Sequence, residues 1–332
     1  MREPASSFIN RRRVVLAGAA AWAVPWASGA ARAEGFPSQP LTIVVPYPAG
    51  GASDIDARRI GVELARRLGQ PVVIENVTGA VGTLGVRKAL RAAADGHTLL
   101  YGSLQETVLM PIVSANAGYR TEDMSAIAVA GVTPATVVVR PDFPADDMAG
   151  LIELLGRQPG RFTYGTAGVG SFFHFVSETI KLKTGVFAVH IPYRGGPPVV
   201  ADLLGGQIDI GITAAPNVVG LVRQGRLKAL GVSSADRLPA LAAVPAFSET
   251  PALKGLDMSI WGMLLAPKGL PDSTARMLNQ AINEIAEMPA IVEQRSASGS
   301  GQPPRLSVSQ AQAFLLRERD AYRQTAGRMR FT

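Results

Sequence analysis

The chain has 332 residues, 47% of them hydrophobic, with 35 glycines, 24 prolines and no cysteine. That length and composition allow two cored domains, and the missing thiols exclude disulfides, thiolate metal sites, a cysteine nucleophile and a lipoprotein anchor. Of the 33 basic and 26 acidic residues behind the formal charge of +7, five arginines and one glutamate fall within residues 1–33, so the rest holds 28 against 25 and no basic run to track a nucleic acid.

The first segment reads as an address. Arg11-Arg12-Arg13 precede an apolar run, Val14–Val24, which ends at Pro25 and is too short to span a bilayer comfortably. Ala31-Arg32-Ala33 has the small-x-small form of a signal-peptidase site. The paired arginines fit a twin-arginine signal loosely. Residues 1–33 are therefore expected to be an export signal cleaved near Ala33, which places the mature chain in the periplasm.

Leu41–Val45 is a short β-branched run that reads as a strand buried on both faces. Pro46 and Pro48 stop it, Ala49-Gly50-Gly51-Ala52 forms a side-chain-poor turn, and Ser53 or Asp54 is placed to cap a helix carrying Ile55, Ile60, Leu64 and Leu68 on one face. Strand, glycine turn and helix N-terminus together present N–H groups and a positive dipole end, which favours a small anion such as a carboxylate. The same turn also occurs in α/β proteins with no ligand, and it is neither a dinucleotide fingerprint nor a P-loop.

Strands are next expected at Pro71–Glu75 and Thr98–Tyr101, around a helix near Leu84–Ala94, and then at Ala126–Gly131 and Thr136–Val139. A second set follows: helix Met148–Gln158, strand Phe162–Gly165, and the small-residue loop Thr166-Ala167-Gly168-Val169-Gly170-Ser171 opening a helix over Ser171–Thr184. Val186–Pro192, Ile208–Ile212 and Leu227–Val232 read as strands, and Val199–Leu204 and Val218–Gln224 as helices. Strand Met258–Ala266, helix Pro271–Glu287 and a last helix toward Arg330, with Ser309 and Gln312 as a capping box, complete the chain. Strands alternating with helices predict an α/β fold with mainly parallel sheets. Two glycine-lined helix entrances in separate α/β units would face each other across a cleft.

Reactive groups at useful spacing are scarce. His97, His174 and His190 form no short metal pattern, and no G-x-S-x-G elbow is present. No metal or cofactor is expected. Ser171 and His174 are neighbours at i,i+3, which reads more simply as a cap and a supporting group than as a nucleophile and its base. A periplasmic hydrolase or isomerase built on that pair is the alternative from a different class.

Six segments in order resemble one family: Pro40–Asp54 (PLTIVVPYPAGGASD), Leu68–Gly85 (LGQPVVIENVTGAVGTLG), Asp95–Leu100 (DGHTLL), Tyr164–His174 (YGTAGVGSFFH), His190–Ile210 (HIPYRGGPPVVADLLGGQIDI) and Trp261–Pro271 (WGMLLAPKGLP). The chain resembles the periplasmic substrate-binding proteins of tripartite tricarboxylate transporters, the Bug-type family. The resemblance implies a type II periplasmic-binding-protein clamshell, with residues 34–133 plus 250–332 as one domain and 134–249 as the other. It implies capture of a small organic anion, a mono- or dicarboxylate, by a monomer that serves membrane transporter subunits or a membrane sensor. Recognition falls to backbone amides and waters of two loops. The first brings Tyr47, Ala49, Gly50, Gly51, Ser53 and Asp54; the second Thr166, Ala167, Gly168, Gly170 and Ser171. Thr83, His174 and Tyr193 complete the expected wall.

The chain departs from the family pattern at three places. Val169 and Thr83 stand where asparagine is common, and Ile212-Thr213-Ala214 replaces an aromatic-acidic combination. Lost amides make the cleft less suited to a densely polar ligand, so a mono- or dicarboxylate, aromatic ones included, is expected over citrate.

Overall fold

A computed structural model describes residues 35–114 and 116–326. The expected export signal, its cleavage site and the run of the last helix to Arg330 lie outside the described residues. The elements begin with β1 (Leu41–Val45), α1 (Ala52–Leu68), β2 (Val72–Asn76), α2 (Thr83–Leu90) and β3 (Thr98–Ser103). A π-helical turn, Gln105–Leu109, leads into α3 (Met110–Val113) and then β4 (Met124–Val139). There follow α4 (Met148–Arg157), β5 (Thr163–Thr166), α5 (Phe172–Thr184), β6 (Val189–Pro192), α6 (Gly196–Leu204), β7 (Ile210–Ala214), α7 (Val219–Arg223) and β8 (Lys228–Val232). The chain continues through β9 (Ser259–Pro267), α8 (Asp272–Ala286), α9 (Pro289–Ser298) and α10 (Val308–Ala326).

The nine strands of the described residues join one sheet in the order β2-β1-β3-β9-β4-β7-β5-β6, with β8 also paired to β4. The expectation of mainly parallel sheets holds only toward the two ends. There, β1 pairs parallel with β2 and β3, and β5 with β6 and β7. The middle is antiparallel, because β4 and β9 run against the βαβ units they join. Leu41, Ile43, Val44 and Val45 of β1 are fully buried, as a strand with helices on both faces requires. In α1, Ile60 and Leu64 face the core as expected, but Ile55 is half exposed, because it sits on the opposite side of the first turn.

Where two strands were expected, β4 is continuous. Its Met124–Pro134 part lies on β9, and Ala135–Val139 lies between β7 and β8. The expected break at 132–135 falls around Pro134, where the strand passes from the β9 ladder to the β7 ladder. The register slips earlier, in bulges at Ala126/Ala128 and at Val129/Gly131. Side chains satisfy both. Ile127 O accepts from buried Asn279 Nδ2 at 2.7 Å, and Ala130 O accepts from the buried guanidinium of Arg295. Gln312, expected in a capping box, instead accepts from Ala126 N at 2.8 Å. The box at α10 is made by Ser307 and Gln310, two residues earlier.

Candidate functional site

The first expected loop follows β1. Gly51, not Ser53 or Asp54, is the N-cap of α1, and it makes no side-chain cap. Asp54 lies in the first turn and is 2% exposed. Its Oδ2 accepts Gly50 N at 2.8 Å and Arg58 Nε at 2.9 Å, while Oδ1 accepts Asn76 Nδ2 at 2.9 Å. The same Asn76 amide reaches Tyr47 O at 2.9 Å. Arg58 and the Gly50 amide hold the Asp54 carboxyl down at about 2. Asp54 is thus the staple of the loop, and its own carboxylate already sits at the α1 N-terminus. Ala49 and Gly50 form the exposed tip, with Gly51 and Ser53 half-buried behind them.

Tyr47 is half-buried, and its hydroxyl donates to Glu106 Oε2 at 2.7 Å. Glu106 is fully buried. It also accepts from the Ser103 amide and, at 2.5 Å, from Ser103 Oγ. Burial pushes the Glu106 carboxyl up, against the pull of these donors. Thr83, buried at the start of α2, donates to Ala80 O at 3.0 Å. It closes a turn in which Gly79, Ala80, Val81 and Gly82 all have positive φ, with Val81 at 54°. A β-branched residue in that region is strained, and such strain is typical of functional sites. The turn leaves Val81 53% exposed.

The second loop follows β5. Thr166 is buried, with its hydroxyl 2.7 Å from His190 Nε2. Ala167 and Gly168 are half-buried, Val169 is exposed, and Gly170 is buried. At Gly168 φ is 124°, and a Cβ there would lie 3.2 Å from the Tyr193 carbonyl, so glycine is required. Ser171 caps α5, its Oγ accepting His174 N at 3.3 Å. The His174 ring accepts Gly170 N through Nδ1 at 3.1 Å, and its Nε2 faces Glu178 at 3.7 Å. His174 and His190 stack with centroids 4.2 Å apart, and Tyr164 stacks on His190 at 4.8 Å. Burial lowers both imidazoles, His190 to about 4 with help from His174, so both are neutral near pH 7. Tyr193 turns its hydroxyl to Asp202 at 2.8 Å.

These contacts bear on the expected chemistry. The Ser171 hydroxyl bonds the backbone of His174, not its ring, so the pair does not form a nucleophile and base. Tyr47, after β1, and Tyr193, after β6, both spend their hydroxyls on an acid. Among the described residues, no group of three or more His, Asp or Glu side chains could hold a metal.

The loops lie at the C-terminal ends of β1 and β5, the ends where ligands of parallel sheets bind. A third element joins them there, from the end of β3. Gln105 Nε2 donates to Gly170 O at 3.2 Å, and its Oε1 accepts Phe172 N at 3.2 Å. Neither Gln105 nor Glu106 is among the residues expected from sequence. An acid inside the apolar stretch Leu104–Val113, just past a parallel strand, is the signal that could have marked them.

A family model described as a tripartite tricarboxylate transporter family receptor matches residues 56–319. BugT of Bordetella pertussis is 34% identical over 291 residues, which cover 86% of this chain and 88% of that protein. An R. palustris protein solved with adipate superposes with a TM-score of 0.77 at 27% identity, covering 88% of this chain and 97% of that one. MatC of Rhodopseudomonas palustris, solved with bound malate, gives 0.74 at 27% identity over 87% and 99%.

Proposed function

The chain belongs to the tripartite tricarboxylate transporter family of receptors, periplasmic solute-binding proteins with a two-domain α/β clamshell fold, and from that membership we propose how it captures its ligand. A small organic carboxylate enters between the loops Tyr47–Asp54 and Thr166–Ser171 and is held by backbone amides and water at the starts of α1 and α5. The observation that carries this reading is the meeting of the β3 and β5 ends through Gln105, which brings the second loop to the first half of the sheet. Tyr47, Thr83, His174 and Tyr193 serve as walls and props. Asp54 shapes the first loop from beneath.

The domains are 34–133 with 250–332, and 134–249. The change of partner along β4 supports the boundary at residue 134, where Pro134 ends the β9 ladder and Ala135 begins the β7 ladder. Closure of these domains gives a monomer one composite surface for transporter subunits or a sensor. Binding and hinge motion are the whole mechanism, with no bond made or broken. Export proceeds through a signal cleaved near Ala33.

Adipate in one structural relative and malate in another support a dicarboxylate here. Val81 and Val169, each 53% exposed, and the turned-away hydroxyls of Tyr47 and Tyr193 favour an apolar ligand body over a densely hydroxylated one. A thermal-shift screen of organic acids, amino acids and neutral compounds tests the reading. A ligand at 100 times its Kd stabilises by about 2.7 kcal/mol. Adipate-like or aromatic acids should raise Tm more than citrate and be recovered unchanged. Ser171→Ala and His174→Ala should weaken binding modestly. A tight citrate complex would reject the apolar preference, and turnover abolished by either alanine would restore the enzyme reading.

A further inference from the structure

Both helix entrances already hold an acceptor from the chain itself, and the two occupants differ in kind. At α1 it is Asp54, charged, buried and tied to Gly50, Asn76 and Arg58. At α5 it is Gln105, neutral, half-buried and reaching over from the end of β3. Its oxygen takes the amide of Phe172, the first residue of a 13-residue helix, and its nitrogen takes the Gly170 carbonyl. Both bonds are 3.2 Å long, at the outer limit of good N–H···O geometry.

The base from which Gln105 reaches is rigid. It opens a π-helical turn, a feature common at functional sites. Its neighbour Glu106 is fixed by Ser103 and Tyr47, and the Glu106 carbonyl accepts Tyr119 Oη at 2.5 Å. On the far side Val113 lies 3.8 Å from where a Gly170 side chain would begin, so the loop is flanked closely. The tether is stiff and its two terminal bonds are weak, which suits an occupant meant to be replaced.

We propose that Gln105 is a tethered stand-in for the ligand's carboxylate, holding the second loop in the ligand-free protein and yielding the Phe172 amide when a carboxylate arrives. This rests on the reading that the α5 entrance receives the ligand. A carboxylate brings full charge to that N-terminus, and its charge-assisted hydrogen bonds are about twice as strong as those of a neutral amide. Gln105 therefore sets affinity by competition, since the apparent Kd is the intrinsic Kd divided by the fraction of time the amide is free of its own side chain.

Two variants and two readouts test this. Hydrogen exchange at the Phe172 amide is measured first, without ligand, in the wild type, Gln105→Ala and Gln105→Glu. Exchange should quicken in Q105A and slow in Q105E, where a tethered carboxylate takes the same place. Titration with adipate and with L-malate follows. Removing a neutral hydrogen-bonding competitor should tighten binding roughly three- to tenfold in Q105A, and Q105E should weaken it at least tenfold. Unchanged Phe172 exchange in Q105A overturns the proposal, and so does weaker binding by Q105A, which would make Gln105 a direct ligand contact. If the wild type binds neither these two acids nor any acid of the wider screen, the ligand reading fails, and the exchange comparison still decides the role of Gln105.

Discussion

Ser233 Oγ accepts the amide of Ala135 at 2.8 Å, at the point where β4 changes from one ladder to the other. The same hydroxyl donates to Met258 O at 2.5 Å, while Ser233 N donates to Ala135 O at 2.9 Å and Ser233 O accepts Met258 N, just before β9, at 2.8 Å. A single buried side chain thus ties the two segments that pass between the halves of the sheet. Ser233→Ala leaves the buried Ala135 amide without its acceptor. The expected loss is about 1–3 kcal/mol in urea denaturation. A midpoint equal to that of the wild type would show that water replaces the hydroxyl.

The Asp54 staple predicts an acid-sensitive first loop. Its carboxyl titrates at about 2 in the folded chain against 3.8 otherwise. The folded-state value is depressed, so its stabilisation is present above pH 3.8 and is lost as pH falls toward 2. Asp54→Ala should cost about 1–3 kcal/mol at pH 7, since it leaves the Gly50 and Asn76 donors without their acceptor, and the difference from wild type should shrink at pH 2. A difference that persists undiminished in acid would assign the effect to packing.

The stacked imidazoles act in a higher window. His190 stays neutral down to about pH 4, whereas the unfolded chain takes up that proton near 6.5. Stability should therefore be full above pH 6.5 and decline between 6.5 and 4, with His174 adding in the same direction. In His190→Gln, unfolding midpoints at pH 7 and pH 5 should lie closer together than in the wild type. An equal pH slope in the two proteins would exclude His190 as a source.

A pair of glycines gives opposite signs. A Cβ on Gly85 would lie 2.9 Å from Pro46 Cα and from Val77 O, both backbone, so α2 packs on the first loop only through glycine there. Gly85→Ala should cost about 1–3 kcal/mol and weaken carboxylate binding. Gly156, in α4, has nothing within 4 Å of its Cβ position, and Gly156→Ala should stabilise by about 0.5–1 kcal/mol. Thermal melts of the two variants decide both.

The sequence makes the doubly covered strands legible, because burial on both faces leaves unbroken runs such as Leu41–Val45. The glycine loops are legible because backbone conformation dictates composition. What connects the loops is not, since Gln105 meets Gly170 across 65 positions of sequence, a pairing no local pattern encodes. The π-helical turn and α3 escape notice because buried Glu106 and Thr107 interrupt an otherwise apolar stretch. Helix α9 is hidden for a related reason: its buried face carries Arg295, which reads as surface until the Ala130 carbonyl it serves is seen. The division of β4 at 132–135 is the opposite case: Pro134, which reads as a break, sits where the strand trades one partner for another and does not end it.

The unbroken β4 strand also governs how the protein can be cut. Because it supplies partners to β9 on one stretch and to β7 and β8 on the next, severing the chain at residue 134 would leave each fragment with a raw row of amides and carbonyls. Either fragment alone would offer a sticky border to any extended chain nearby. The two lobes therefore share one strand, and a receptor assembled from separately made halves would have to knit that strand before it could bind anything.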